Sequence, residues 1–241
     1  MKICCFGANS AIAKHIVYEY ADSSPEVILV GRDQQKLDVE AQHLKARYSC
    51  KTQVFSCDFT NTEKTIEVCK TLKDIDVFII AHGYLGSQDE AQNNHSELQK
   101  IIDVNYTSYA HLLEEVGRIV DMQQFGKTIV IGSVAGDRGR QSNYIYGSSK
   151  GAIELYVQGI QHRFAHNPKI HFLLAKPGFV DTPMTKDFPK GPLWAKPKAV
   201  AKLMVQGLNK NKRVVYTPKF WFLIMTLIKW CPFFVFKKTK L

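Results

Sequence analysis

Short apolar runs rich in β-branched residues alternate along the chain with longer segments in which apolar positions recur at helical spacing. Residues 2–6 (KICCF), 26–30 (EVILV), 52–56 (TQVFS), 75–80 (IDVFII), 127–132 (KTIVIG), 169–175 (KIHFLLA) and 213–216 (RVVY) read as strands. Helices fit between them near 10–21, 33–47, 61–72, 93–121, 143–165 and 196–209. Strands this uniformly apolar need helices on both faces, so the pattern predicts an α/β fold: a doubly wound parallel sheet in a single domain. That domain is expected over 1–217, including a Pro-rich lid over 184–197, and an apolar, basic C-terminal tail follows over 218–241.

The composition, 45% apolar and 22% charged over 241 residues, excludes a disordered, collagen-like or coiled-coil chain. Charge changes the picture more, because the net +10 is segregated. Residues 1–185 hold 19 basic and 21 acidic side chains, whereas 186–241 hold 13 basic and one acidic, Asp187. An excess confined to one end points to a local anionic partner, membrane or phosphate, and not to nucleic acid. The six cysteines show neither C-x-x-C pairs nor zinc spacing with histidine, so no metal site or disulfide framework is expected. The N-terminal apolar patch is interrupted by Asn9 and Ser10 and is too short for a signal peptide, which makes a cytoplasmic protein the expectation.

Candidate chemistry begins where the first strand runs into Gly7-Ala8-Asn9-Ser10-Ala11-Ile12-Ala13 and a helix. In a dinucleotide fold this turn sets pyrophosphate against backbone amides, although a lone glycine also suits an ordinary strand-to-helix turn. Tyr146 is the only one of the ten tyrosines with a lysine four residues on, Lys150, which puts phenol and ammonium on one helix face. A lysine there can make tyrosine a usable proton donor. Ser133 lies 13 residues upstream at a strand end, and Asn105 sits in a helical segment where its amide or its backbone can hold a water.

In this order and spacing the chain resembles the short-chain dehydrogenases/reductases. The residues that carry the likeness are the turn at 7–13, Asp58, Ala81-His82-Gly83, Asn105, Ser133, Tyr146, Lys150 and Pro177-Gly178-Phe179-Val180-Asp181-Thr182. The resemblance implies a Rossmann-type fold and a nicotinamide cofactor. It makes Tyr146 the general acid, Ser133 a hydrogen-bond donor to the carbonyl oxygen, Lys150 the contact to the nicotinamide ribose and Asn105 the holder of a relay water. Gly7, Asn9, Ser10, Ala11 and Ile12 would cradle pyrophosphate, Asp58 and Phe59 would meet adenine, and Ala81, His82 and Gly83 would line the cofactor. Val180 and Thr182 would contact its carboxamide end, and Pro177 and Gly178 would also bind the cofactor. The chain departs from the family pattern where Phe6 replaces a threonine, Ala11 and Ala13 replace glycines, and Ile80-Ala81-His82-Gly83 lacks the usual asparagines. A slightly shifted pyrophosphate is therefore expected. At the second strand's end, Gly31 followed by Arg32 favours NADPH, while Asp33 keeps NADH open.

Within the family, Asn105-Tyr106-Thr107, Ala81 to Gly86, Val134 to Arg140 and Asn143 to Ser148 are similar to the decaprenylphosphoryl-2-ketoribose reductases. That likeness implies a polyprenyl-phosphate ketopentose substrate and a partner flavin-dependent oxidase that makes the ketone, while the wider family resemblance implies a homo-oligomer. Arg138, Arg140 and Lys186 become candidate substrate contacts, against the plainer reading of a solvated loop. Residues 220–236 are apolar except Thr226, Lys229 and Pro232, and Lys219, Lys237, Lys238 and Lys240 flank them. The run is too short and too broken to span a bilayer, which leaves either peripheral contact with the inner membrane face or packing on the core or an oligomer interface. A general ketone reductase and a dinucleotide binder without turnover remain as the alternative functions.

Overall fold

Seven strands lie side by side in the computed structural model, which describes residues 1–239. They are β1 (Lys2–Phe6), β2 (Glu26–Gly31), β3 (Lys51–Ser56), β4 (Val77–Ile80), β5 (Gly126–Ile131), β6 (Ile170–Pro177) and β7 (Val214–Thr217). The order across the sheet is β3-β2-β1-β4-β5-β6-β7, and every pairing is parallel. The helices are α1 (Ala11–Ala21), α2 (Gln34–Tyr48), α3 (Thr62–Lys70), α4 (Gln88–Ala91), α5 (His95–Ile102), α6 (Ser108–Gln123), α7 (Tyr144–Arg163), α8 (Pro197–Asn209), α9 (Phe220–Trp230) and α10 (Phe233–Phe236).

Side chains alternate across each strand and so feed two cores. Ile3 and Cys5 face one layer, buried with Ile12, Ile16, Leu37, Leu44 and Met204 of α1, α2 and α8. Cys4 and Phe6 face the other, with Phe78, Leu112, Val116, Ile153 and Val157 under α6 and α7. All six cysteines are free, and all but Cys231 are buried.

Two elements differ from the periodicity. The long helix expected over 93–121 is divided into α5, a π-turn at Asp103–Thr107, and α6. The amide of Asn105 donates to the Ile101 carbonyl (2.8 Å), competing locally for an acceptor of the helical ladder. The tail folds as α9, and Pro232 separates it from the short α10. Lys240, one of the flanking lysines, lies outside the described residues.

Candidate active site

The chain leaves β1 for β2 and β3 on one side and returns to β4 on the other, so the sheet order reverses between β1 and β4. The carboxyl ends of strands at such a point open into a crevice. Here the crevice is a cavity of about 1080 Å³. Gly7 turns at its base with φ +81°, and a Cβ there would stand 2.4 Å from the His82 backbone nitrogen, so only glycine lets the turn lie this close to the chain leaving β4. Asn9, Ser10, Ala11 and Ile12 line the cavity where α1 begins, with no acidic residue in the helix's first turn. The buried Asn9 Nδ2 has no protein partner. An open turn, exposed helix-end amides and an unpaired donor are a cradle that fits the pyrophosphate of a dinucleotide.

Arg32, Asp33, Asp58, Phe59, Ala81, His82 and Gly83 line the same cavity. Asp33 is already committed, since it caps α2 by accepting from the Lys36 backbone N–H (3.1 Å) and pairs with the Lys36 ammonium at 2.7 Å. That hydrogen-bonded pairing holds its carboxyl below the usual range. Arg32 is exposed and points no salt bridge at any described residue. Lys36 also lines this end and was missed in the sequence, although its place three residues after the cap of α2 was a usable sign. Asp58 accepts from the Thr60 N–H (3.0 Å) and hydroxyl (2.9 Å), which fixes the Phe59 ring 4.4 Å from that of His82. Burial pushes His82 well down, so it is neutral, and its Nε2 meets the Ser108 hydroxyl at 2.8 Å.

At the other end, Ser133 follows β5 and its Oγ accepts from the Ala135 N–H at 3.1 Å. The first turns of α7 carry Tyr146 and Lys150, which line the cavity with Ser133. The Lys150 ammonium stands 4.5 Å from the Tyr109 ring and 5.9 Å from that of Tyr146. Burial drives Lys150 down to about 7 and Tyr146 up to about 12, with the Ser133 hydroxyl pulling the phenol the other way. At neutral pH Tyr146 therefore keeps its proton and is equipped to donate it.

A pH dependence follows. An unfolded lysine holds its proton to about pH 10.4, whereas buried Lys150 releases it near 7, so between those values the unfolded chain binds more protons. This group's contribution should favour folding increasingly as pH rises through that window and be lost as pH falls to 7. Urea unfolding from pH 7 to 10 should show wild type gaining on Lys150→Met by up to roughly 1.4 kcal/mol per pH unit. Parallel curves would exclude the shift.

The other candidates are not all brought together. Asn105 is fully buried and off the cavity: its amide donates to the carbonyls of Tyr84 and Ile101, and its Oδ1 accepts from the Tyr84 N–H at 3.1 Å. Of the two ways to hold a water, its side chain is occupied and its backbone remains. Arg140 lines the cavity, buried, with an unpartnered Nε. Arg138 corrects the sequence expectation, since its guanidinium donates to the carbonyls of Ile228 and Cys231 and lies 3.9 Å from the Phe236 ring, away from the cavity. Lys186 is exposed and does not line it either. Pro177, Gly178, Val180 and Thr182 do, and Val180 is held by a bridge to Ala195. An apolar wall of Phe179, Met184, Phe188 and Trp194 completes the mouth, none of them singled out as a contact from the sequence.

The sequence model of the family described as short chain dehydrogenase matches residues 2–192. An uncharacterized oxidoreductase of Mycobacterium tuberculosis is 27% identical over 97% of this chain and 94% of its own. One from Staphylococcus epidermidis is 29% identical over 75% and 78%. Among solved structures, a short-chain dehydrogenase from Sphingobium yanoikuyae in complex with NADPH has a TM-score of 0.83 at 20% identity, covering 90% of this chain and 87% of that one. The bulky-bulky ketone specific alcohol dehydrogenase from Comamonas testosteroni has a TM-score of 0.81 at 21% identity, covering 93% and 90%. At such identities these two likenesses speak to fold.

Proposed function

The chain belongs to the short-chain dehydrogenase family and is an oxidoreductase, and on that premise we propose that it is an NADPH-dependent ketone reductase. The observation that carries this reading is the convergence of Ser133, Tyr146 and Lys150 on one cavity whose far end is the Gly7 cradle. A bound nicotinamide dinucleotide would supply the hydride. Tyr146 would give its phenolic proton to the carbonyl oxygen as that oxygen gains negative charge, and the Ser133 hydroxyl would hydrogen-bond the same atom. Lys150 would contact the nicotinamide ribose and stabilise the phenolate left behind. The backbone of Asn105, at the π-turn, would hold the water that returns the proton.

NADPH is favoured over NADH because Gly31 leaves no carboxylate at the strand end, Asp33 is engaged by Lys36, and Arg32 faces the cavity uncommitted. The expected preference is roughly 10- to 150-fold in affinity, the worth of a charge-assisted hydrogen bond of about 1.5–3 kcal/mol. Arg32→Ala should remove most of it. Titrating both cofactors against both proteins is the check, and equal wild-type affinities would assign the pocket to Asp33.

For substrate, the reading favours a 2-keto pentose carried on polyprenyl phosphate. Its support is the sequence likeness to reductases of that class, the unpartnered Arg140 Nε inside the cavity for phosphate, and the apolar wall for the first prenyl units. A flavin-dependent oxidase would then supply the ketone. Turnover with such a ketose, set beside a panel of soluble ketones, decides the matter. Faster reduction of unphosphorylated ketones would make the protein a general ketone reductase instead.

A further inference from the structure

α9 is apolar apart from Thr226 and Lys229, and only one of its apolar faces is used. Trp221 and Met225, with Ile224 and Ile228, pack against Val134 and Tyr216. The opposite face turns Phe222, Leu223, Leu227 and Trp230 to solvent, and Phe233 and Phe234 of α10 continue it, each between 55% and 78% exposed. A helix that merely covers a core is polar on its outer side. Along the described tail the charged residues are Lys219, Lys229, Lys237 and Lys238, Arg138 reaches its end from outside, and no acidic residue follows Asp187 in the chain.

We propose that α9 and α10 lie in the interfacial layer of an anionic membrane, their exposed aromatic and leucine side chains inserted and their lysines at the phosphates. Charge separates this occupant from a second copy of the chain. A two-fold dimer through the patch would set the same lysines against each other, whereas anionic headgroups neutralise them. Length sets the depth: α9 has 11 residues, about 16 Å, against a hydrocarbon core of about 30 Å, and Pro232 redirects the chain at its end. No helix among the described residues is long and apolar enough to cross a membrane. The pair therefore lies flat.

The anchor is tied to the mouth of the cavity. Trp221 packs so closely over Gly178 that a Cβ there would stand 1.9 Å from its Nε1, and the ring meets Phe179 edge-on at 5.2 Å. Both residues line the cavity. Arg138, five residues after Ser133, holds the end of α9 through the Ile228 and Cys231 carbonyls. Docking would hold the mouth at a set distance from the lipid, whatever the ketone reduced.

Co-sedimentation of the full chain with phosphatidylcholine vesicles, with and without phosphatidylglycerol, tests this. Wild type should bind the anionic vesicles, bind neutral ones weakly and be partly released by salt. Lys237→Gln with Lys238→Gln should weaken binding roughly 25-fold, about fivefold per lysine. Leu223→Ser, Leu227→Ser and Trp230→Ser together should abolish it while leaving turnover of a soluble ketone intact, which shows that the variant folds. Wild type left in the supernatant with anionic vesicles overturns the proposal, and so does a triple variant that still sediments. An oligomer that dissociates in the triple variant, with neither protein binding vesicles, assigns the patch to a second copy. Vesicle binding without reduction of a lipid-linked ketose would sink the substrate reading alone; reduction in detergent without vesicle binding would sink only this one.

Discussion

Replacing Tyr146 by phenylalanine is expected to slow ketone reduction by roughly 10²–10⁴-fold, the usual contribution of a positioned general acid. The change removes one oxygen and keeps the ring, which packs against the small cluster of Ala91, Ile101 and Ile145 beside α7. Stability and NADPH affinity should therefore move little, so the loss falls on turnover and not on binding. The phenol is suited to the role because burial raises it to about 12 and keeps it protonated, while the Ser133 hydroxyl works in favour of the phenolate once the proton has gone. Steady-state rates beside a cofactor titration separate the two quantities. A variant that keeps more than about a tenth of wild-type turnover removes Tyr146 from the mechanism.

Lys176→Met is expected to destabilise the fold by about 3–5 kcal/mol, because it strands the buried carboxylate of Asp137, which now shares one ammonium with half-buried Glu154. Lys176, at the end of β6, is 1% exposed and pairs with Asp137 and with Glu154 at 2.5 Å. Burial by itself would push the lysine down; the hydrogen bonds it donates to Asp137 and Glu154, and their charges, hold it above its ordinary value instead. The Tyr216 hydroxyl donates to the same Asp137 oxygen at 3.1 Å. With a raised folded value, this stabilisation is complete below the unfolded lysine's value of about 10.4 and fades as pH climbs through the folded one. Urea unfolding at neutral pH gives the magnitude, and Lys176→Met combined with Asp137→Asn should recover part of it. A loss under about 1 kcal/mol would mean that the group behaves as a surface pair.

Asp137 also closes the short turn that starts at Ser133, and the next residue, Arg138, grips the tail. Loosening the ion cluster should therefore reach both the catalytic serine and the anchor helix, although Lys176 touches neither.

The alternation of apolar runs with helical segments was enough to determine the parallel, doubly wound sheet, since strands with no polar face can be stable only between two helical layers. The order and spacing of Ser133, Tyr146 and Lys150 likewise singled out the candidate chemistry, because a strand end and two adjacent helical turns are local relations. What a neighbour in space imposes was not legible. Asn105 interrupts a helix that periodicity drew as continuous, because its amide is drawn to the Tyr84 loop across the fold. The sequence favours Arg32 and leaves Asp33 open, and only the start of α2 shows that Asp33 is engaged, by bringing Lys36 back onto it. Arg138 and Arg140, two residues apart on one loop, diverge because the loop turns one guanidinium to the end of α9 and the other into the cavity. The tail is the clearest division: its apolar and basic composition is written in the chain, but which of its faces remains open depends on where α9 meets Val134 and Tyr216, a long-range packing relation that no local pattern contains.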